Sequence, residues 1–181
     1  AKVPTAWAQL QAAALATTKQ AGAAVGISVQ QGSGGDAYHM YPLFSGLGGY
    51  IFGKNSAGNL DPSNIGLANP RFMRNAAMID QWNKLGLIRS SVDSSISQDL
   101  FLKGKTAFWF TGPWNLDTLK KSGLSFRISA FPTIVPGTKA VPFLGVQGFM
   151  VTKFAATHGV ESLAKDLVSN YMMQSGPQLE L

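Results

Sequence analysis

"TAFWFTGPWNL", residues 106–116, packs three aromatic rings into five residues, stops at Gly112-Pro113 and resumes with Trp114. Residues 106–110 read as a short apolar strand, and Pro113 as the opening of a helix. Trp114 therefore stands at a strand-to-helix corner, where the chain turns through the surface. An indole there presents a flat apolar face and a polar edge to solvent or to a ligand. Phe108, Trp109 and Phe110 point to alternate sides of the strand, so burying all three requires helices on both faces of the sheet.

Working outward, helices and short strands alternate. "AWAQLQAAALATTKQAG" reads as a helix capped by Thr5 and stopped at Gly22, with Trp7, Leu10 and Ala14 on one face. "VGISVQ" (25–30) is a β-branched strand, followed by the flexible "QGSGGD" (31–36) and a helix in "AYHMYPLFSGL" that Gly48-Gly49 stop. Residues 69–88 form one long helix by pattern, with Asn69 as cap, Pro70 in the first turn, a face of Phe72, Ala76, Ile79 and Trp82, and Gly86 as the end. Further helices are predicted over 94–105 and 114–123, the second with Asp117 early and Lys120-Lys121 late, as the helix dipole favours. "LSFRISAFPTI" (124–134) and "GFMVT" (148–152) read as strands, and 159–176 as a closing amphipathic helix with Gly176 behind it. There is no internal repeat. The order predicts an α/β layer structure with a mixed, mostly parallel sheet flanked by helices.

Composition narrows the function. The chain has 181 residues, 45% of them apolar and only 13% charged, which describes a loop-rich globular domain. The formal net charge of +6 is carried by scattered lysines and arginines with one adjacent pair, so a nucleic-acid-binding domain is the weaker reading. No cysteine is present, which excludes disulfides and thiol chemistry. No apolar run reaches the length of a membrane span, and the N-terminus is no signal peptide. The abrupt opening "AKVPTAW" and the ending "SGPQLEL" suggest a fragment.

Catalysis finds little support. His39 and His158 are far apart and in no metal-ligand spacing, and none of the nine acidic residues is nominated as half of a carboxylate pair. His39, in a Gly-rich neighbourhood, can meet a ligand, whereas His158 reads as a solvated residue beside a helix. "QGSGGD" lacks the ending of a phosphate loop and reads as a connector. Trp7, Trp82, Phe72 and Phe101 fall at helical core spacing. Trp114, Tyr38 and Tyr41 instead stand beside Gly and Pro at element ends. A sugar ring has an apolar C–H face for such rings and a rim of hydroxyls for Asp, Asn, Gln or Arg side chains. A carbohydrate-active enzyme or its binding module is the alternative, and it needs two carboxylates across a cleft.

Four segments together resemble a known family. "FLKGKTAFWFTGPWNL" is similar to Phe-x-x-Gly-Lys-x-Ala-Met followed by Gly-Pro-Trp in extracytoplasmic sugar-binding proteins of ABC importers, the maltose/maltodextrin-binding proteins among them. "YPLFSGLGGYIF" (41–52), "FPTIVPGTKAVPFLGVQGFMVTK" (131–153) and "VPTAWAQLQAAA" (3–14) resemble further segments of that family, in the family's order. The resemblance implies a periplasmic-binding-protein type II fold of two α/β lobes, with a di- or oligosaccharide gripped between them. It implies no cofactor, no catalysis, and a membrane permease as partner. Residues 1–145 would belong to the second lobe and 146–181 to the segment that crosses back to the first. The protein would lie outside the cytoplasm, in the periplasm or as a lipoprotein on the cell surface. Trp114 and Tyr38 would stack on sugar rings, Asp36 would bond hydroxyls, and His39 and Tyr41 would complete the site. Asp36, His39 and Tyr41 stand where the family has Glu and larger apolar rings, which leaves the identity of the sugar open while favouring a maltose-like glucoside.

Overall fold

The computed structural model describes residues 2–22 and 25–179 and divides into two units, 1–143 and 144–181. In the first unit the order is α1 (Trp7–Ala21), β1 (Ile27–Val29), α2 (Ala37–Gly46), β2 (Phe52–Lys54), β3 (Leu60–Ile65), α3 (Pro70–Asn75), α4 (Ala77–Lys84), α5 (Ser94–Leu102), β4 (Phe108–Phe110), a 3-10 turn (Pro113–Asn115) and α6 (Leu116–Lys121). β1 pairs in parallel with β4, Ile27 opposite Phe108 and Val29 opposite Phe110. On its other side β1 is bonded by residues 86 and 87, with Gly26 N–H donating to Gly86 O and Ile27 N–H to Leu87 O, both at 2.8 Å.

Side chains on β1 and β4 sort to opposite faces, as the period of a strand requires. Ile27, Val29 and Phe110 enter a core with Trp7, Leu10 and Ala14 of α1, Leu43 of α2, Trp82 of α4, and Leu47, Leu87 and Ile88 beyond the helix ends. The indoles of Trp7 and Trp82 pack 4.3 Å apart. Ser28 faces the other way, donating to Ser97 O of α5 at 2.7 Å, and Trp109 meets Phe101 of α5 at 5.5 Å. Helices therefore flank both faces. Phe110 is buried while Phe108 and Trp109 are half-buried.

Several sequence expectations are corrected. Thr5 does not cap α1; the cap position is Ala6, and the Gln9 side-chain oxygen reaches back to accept from Thr5 N–H at 3.0 Å. The helix expected over 69–88 breaks at Ala76. There the Asn75 side chain donates to Arg71 O and to Leu47 O, competing with the backbone for the Arg71 carbonyl. Of 124–134, only Thr133 is bonded as in a sheet, accepting from Trp7 N–H and donating to Thr5 O, while Phe131 and Ile134 turn into the core. β2 and β3 form an antiparallel hairpin over a stretch to which the sequence analysis assigns no element. Both strands are mostly exposed and β3 contains Pro62, so neither shows hydrophobic alternation.

The second unit holds α7 (Lys153–Thr157), α8 (Glu161–Asp166), a π-helical stretch (Leu167–Met172) and α9 (Ser175–Leu179). No strand forms over 148–152 among the described residues, because a strand has no hydrogen bonds of its own and finds no neighbour there. The closing helix ends at Met172, and Gly176 lies inside α9 rather than behind it. His158 is exposed at the end of α7, as expected of a solvated residue.

One close approach organises the first unit's surface. A Cβ on Gly46 would lie 2.5 Å from Ile134 Cδ1 and 3.1 Å from Ala140 Cβ, so residues 134–140 lie directly on the end of α2. Ser45 Oγ accepts from Val141 N–H at 3.0 Å, and Thr138 Oγ1 bonds the Gly46 carbonyl. Gly46→Ala is therefore expected to destabilise the protein by about 1–3 kcal/mol through overpacking. Urea unfolding measures it; an unchanged midpoint would show that Ile134 moves freely.

Candidate ligand site

In a parallel pair the C-terminal ends of both strands open on the same edge, where α/β proteins place ligands. Beyond β1 lie Gln30, the glycine loop and Asp36 at the start of α2; beyond β4 lie Thr111, Gly112, Pro113 and Trp114. The corner at Trp114 is built by sterics. A Cβ on Gly112 would sit 2.2 Å from Trp114 Cη2 and Cζ3, so the indole rests directly on the glycine backbone. Asn115 Nδ2 donates to Thr111 Oγ1 at 2.6 Å and braces the turn. The indole remains 56% exposed.

Asp36 caps α2 through Oδ1, which accepts from His39 N–H at 2.9 Å. Oδ2 accepts from Gln30 Nε2 at 2.5 Å and from His39 Nδ1 at 2.9 Å. A carboxylate only accepts, so Nδ1 carries the hydrogen, and Nε2 is buried without a protein partner among the described residues. Burial pushes the Asp36 pKa up, but the bonds from His39 N–H, Gln30 and the His39 ring, with the ring's charge, outweigh it and hold the carboxyl below its ordinary 3.8.

The aromatic residues form a connected row. Trp114 lies 6.0 Å from Tyr38 at 50° and 5.7 Å edge-on from His39, which is itself 5.6 Å from Tyr38. Tyr38 stacks on Phe143 at 5.3 Å, and Phe143 stacks on Tyr41 at 4.0 Å and 17°. The structure thus brings together Trp114, Tyr38, Asp36, His39 and Tyr41. The exposed members are Trp114 and Tyr38, the latter at 45%. Sequence reading missed Gln30 and Phe143 as members. Phe143 lies inside the motif "VPFLGV", but local spacing gives no sign that it reaches α2.

Three amides of the glycine loop are taken by backbone carbonyls. Gln31 N–H and Gly32 N–H both donate to Val92 O, at 2.7 and 3.0 Å, and Gly35 N–H donates to Gly32 O. A shallow hollow of about 680 Å³ between Gly32–Gly34 and Ser90, Ser91 and Asp93 remains beside it, with no cation lining it. Among the described residues no group of three or more His, Asp or Glu could hold a metal ion, and no helix is long and apolar enough to cross a membrane.

A parallel α/β core with exposed rings beyond its strand ends defines an α/β lobe with a candidate ligand site. The chain belongs to the family of bacterial extracellular solute-binding proteins, whose pattern it matches over residues 1–170. It is 33% identical over 134 residues to the galactooligosaccharide-binding protein of Bacillus subtilis, covering 72% of this chain and 31% of that protein. It is 32% identical over 123 residues to the maltodextrin-binding protein MdxE of the same organism, covering 66% of this chain and 29% of that one. The crystal structure of the maltose-maltodextrin binding protein of Alicyclobacillus acidocaldarius superposes with a TM-score of 0.69 at 31% identity, over 93% of this chain and 43% of that one. The fold is therefore that of a type II periplasmic-binding-protein lobe. The chain spans about a third of the length of the curated relatives it matches. Its family is one of binding proteins rather than enzymes, and one found outside the cytoplasm.

Two outcomes follow from this geometry. Gly112→Ala is expected to displace the Trp114 indole while leaving the stability within about 1 kcal/mol, because the ring is largely in solvent; a moved Trp114 indole N–H resonance with a near-normal unfolding midpoint checks it. Asp36→Ala is expected to cost about 1–2 kcal/mol at pH 7 by removing the cap. Because the folded carboxyl titrates below 3.8, its stabilisation is complete above about pH 4 and is lost as the pH falls through the folded value. The variant should therefore lose less stability on acidification than the parent, measured by unfolding at pH 7 and pH 3.

Proposed function

We propose that the chain forms one wall of the saccharide cleft of a solute-binding protein that delivers a di- or oligosaccharide to an ABC importer. The observation that carries this reading is the exposed Tyr38–Trp114 pair at the ends of β1 and β4. In a family of soluble-ligand carriers, two large rings left open beside a carboxylate are suited to a ligand with apolar C–H faces and hydroxyl edges. Tyr38 and Trp114 stack on sugar rings. Asp36 accepts one sugar hydroxyl: a carboxylate has about four lone-pair sites, and three are taken by Gln30 and His39. His39 supports the ring edges of Tyr38 and Trp114, and Tyr41 backs the platform through Phe143.

Stacking reads the C–H face of a sugar and is tolerant of which hydroxyls are axial. This wall therefore selects saccharides as a class, and relatives named for galactooligosaccharides and for maltodextrins both accord with it. A maltose-like glucoside is the favoured ligand. Residues 1–145 are assigned to the second lobe and 146–181 to the segment that crosses back to the first. The exposed apolar side chains of 146–181, Val146 at 83% and Met150 at 87% among them, support this, since a further lobe would cover them. The protein works in the periplasm or as a surface lipoprotein, with the importer's permease as partner.

The test is a titration of the intact protein with maltose, maltotriose, trehalose and galactobiose, followed by tryptophan emission and repeated with Trp114→Ala. A saturable change with one of them, lost in the variant and the same at low and high salt, is expected for an uncharged ligand. An unchanged signal with every sugar, or binding that survives Trp114→Ala in full, overturns the platform. A steep fall in affinity with salt would point to a polyanion instead.

A further inference from the structure

Phe143 is the last residue of the first unit, and its ring stacks on two tyrosines at once. Tyr38 and Tyr41 lie three residues apart on α2 and so share one face of that helix. Phe143 fills the space between them, 4.0 Å from one ring and 5.3 Å from the other. It arrives there through backbone packing about a hundred residues along the chain from α2. Gly46 lets residues 134–140 lie on the helix, and Ser45 bonds the backbone of Val141 two residues before the ring.

We propose that Phe143 is a positioning residue of the site, fixing the rotamer of Tyr38 and through it the 6.0 Å, 50° relation of Tyr38 to Trp114. Tyr38 is nearly half exposed, so its inward restraint comes from the rings of Phe143 and His39. Loss of one stacked pair changes a rotamer population about two- to tenfold. The consequence for binding rests on the saccharide reading above; the consequence for geometry does not.

The experiment compares Phe143→Leu and Phe143→Tyr in the intact protein, each with Tyr38 intact and with Tyr38→Ala. Three readouts apply: the Trp114 indole N–H resonance without ligand, the urea midpoint, and maltotriose and galactobiose affinity. Phe143→Leu should move the resonance and weaken binding about two- to tenfold, Phe143→Tyr should restore both, and Phe143→Leu should add almost nothing once Tyr38 is alanine. Equal effects with and without Tyr38, or an unmoved resonance, overturn the proposal, since a merely structural role acts in both backgrounds. A moved, Tyr38-dependent resonance in a protein that binds neither sugar sinks the saccharide reading and leaves Phe143 in its role. Trp114-dependent sugar binding that ignores Phe143→Leu does the reverse.

Discussion

Pairing of β1 with β4 is the constraint on which the rest of this structure depends. Ile27–Val29 are buried throughout, so their amides and carbonyls must be bonded by other chain segments, and they are bonded on both edges. One edge is met by β4, about eighty residues later, and Thr106 adds a buried bond from Oγ1 to Gly26 O at 2.9 Å that holds the register. Because the pairing is parallel, the exits of the two strands fall side by side. Gln30 and Asp36 follow one strand and Trp114 the other, and no local feature of either segment would bring them together.

The polar and aromatic parts of the site are supported in different ways. Asp36 serves several demands with one carboxylate: it caps α2, orients His39 and anchors Gln30. Those bonds hold the first turn of α2 in one conformation, and Tyr38 belongs to that turn. Trp114 is fixed by the absence of a side chain, since only a glycine at 112 leaves room for the indole on the backbone. The platform is thus braced from below and open above. Under the saccharide reading proposed above, such bracing reduces the ordering cost when a ligand arrives.

The legible parts of the sequence were those whose signals are local. Trp7, Leu10 and Ala14 announce a buried helical face, "FWF" announces a strand covered on both sides, and Gly-Pro-Trp announces an exposed ring at a turn. Tyr38 and Tyr41 were legible through their place beside Gly and Pro at element ends, His39 through its Gly-rich neighbourhood, and Asp36 through family resemblance. What escaped was non-local or polar. Asn75 breaks the long helix because its side chain finds Leu47 O, a partner that helical periodicity does not reveal. The hairpin over 52–65 lacks a buried face and so lacks alternation. Residues 124–134 have strand-forming side chains but almost no backbone partners, and hydrogen bonding rather than propensity decided them.

The same distinction explains why the site's outermost rings were easier to find than the ring behind them. Trp114 and Tyr38 are conspicuous because large rings at turns have no packing reason to be there. Phe143 has an ordinary packing reason, and its sequence neighbours Pro142 and Leu144 suggest nothing more. Its importance arises only when Gly46 and Ser45 lay the 134–143 segment along α2 and set its ring between two tyrosines. A helix end without a side chain, chosen for close approach, thereby decides the geometry of rings one to two turns earlier on the same helix. Packing at Gly46 and the placement of Tyr38 are consequences of one contact surface, so substitutions that leave Tyr38 and Trp114 untouched can still reshape the aromatic row.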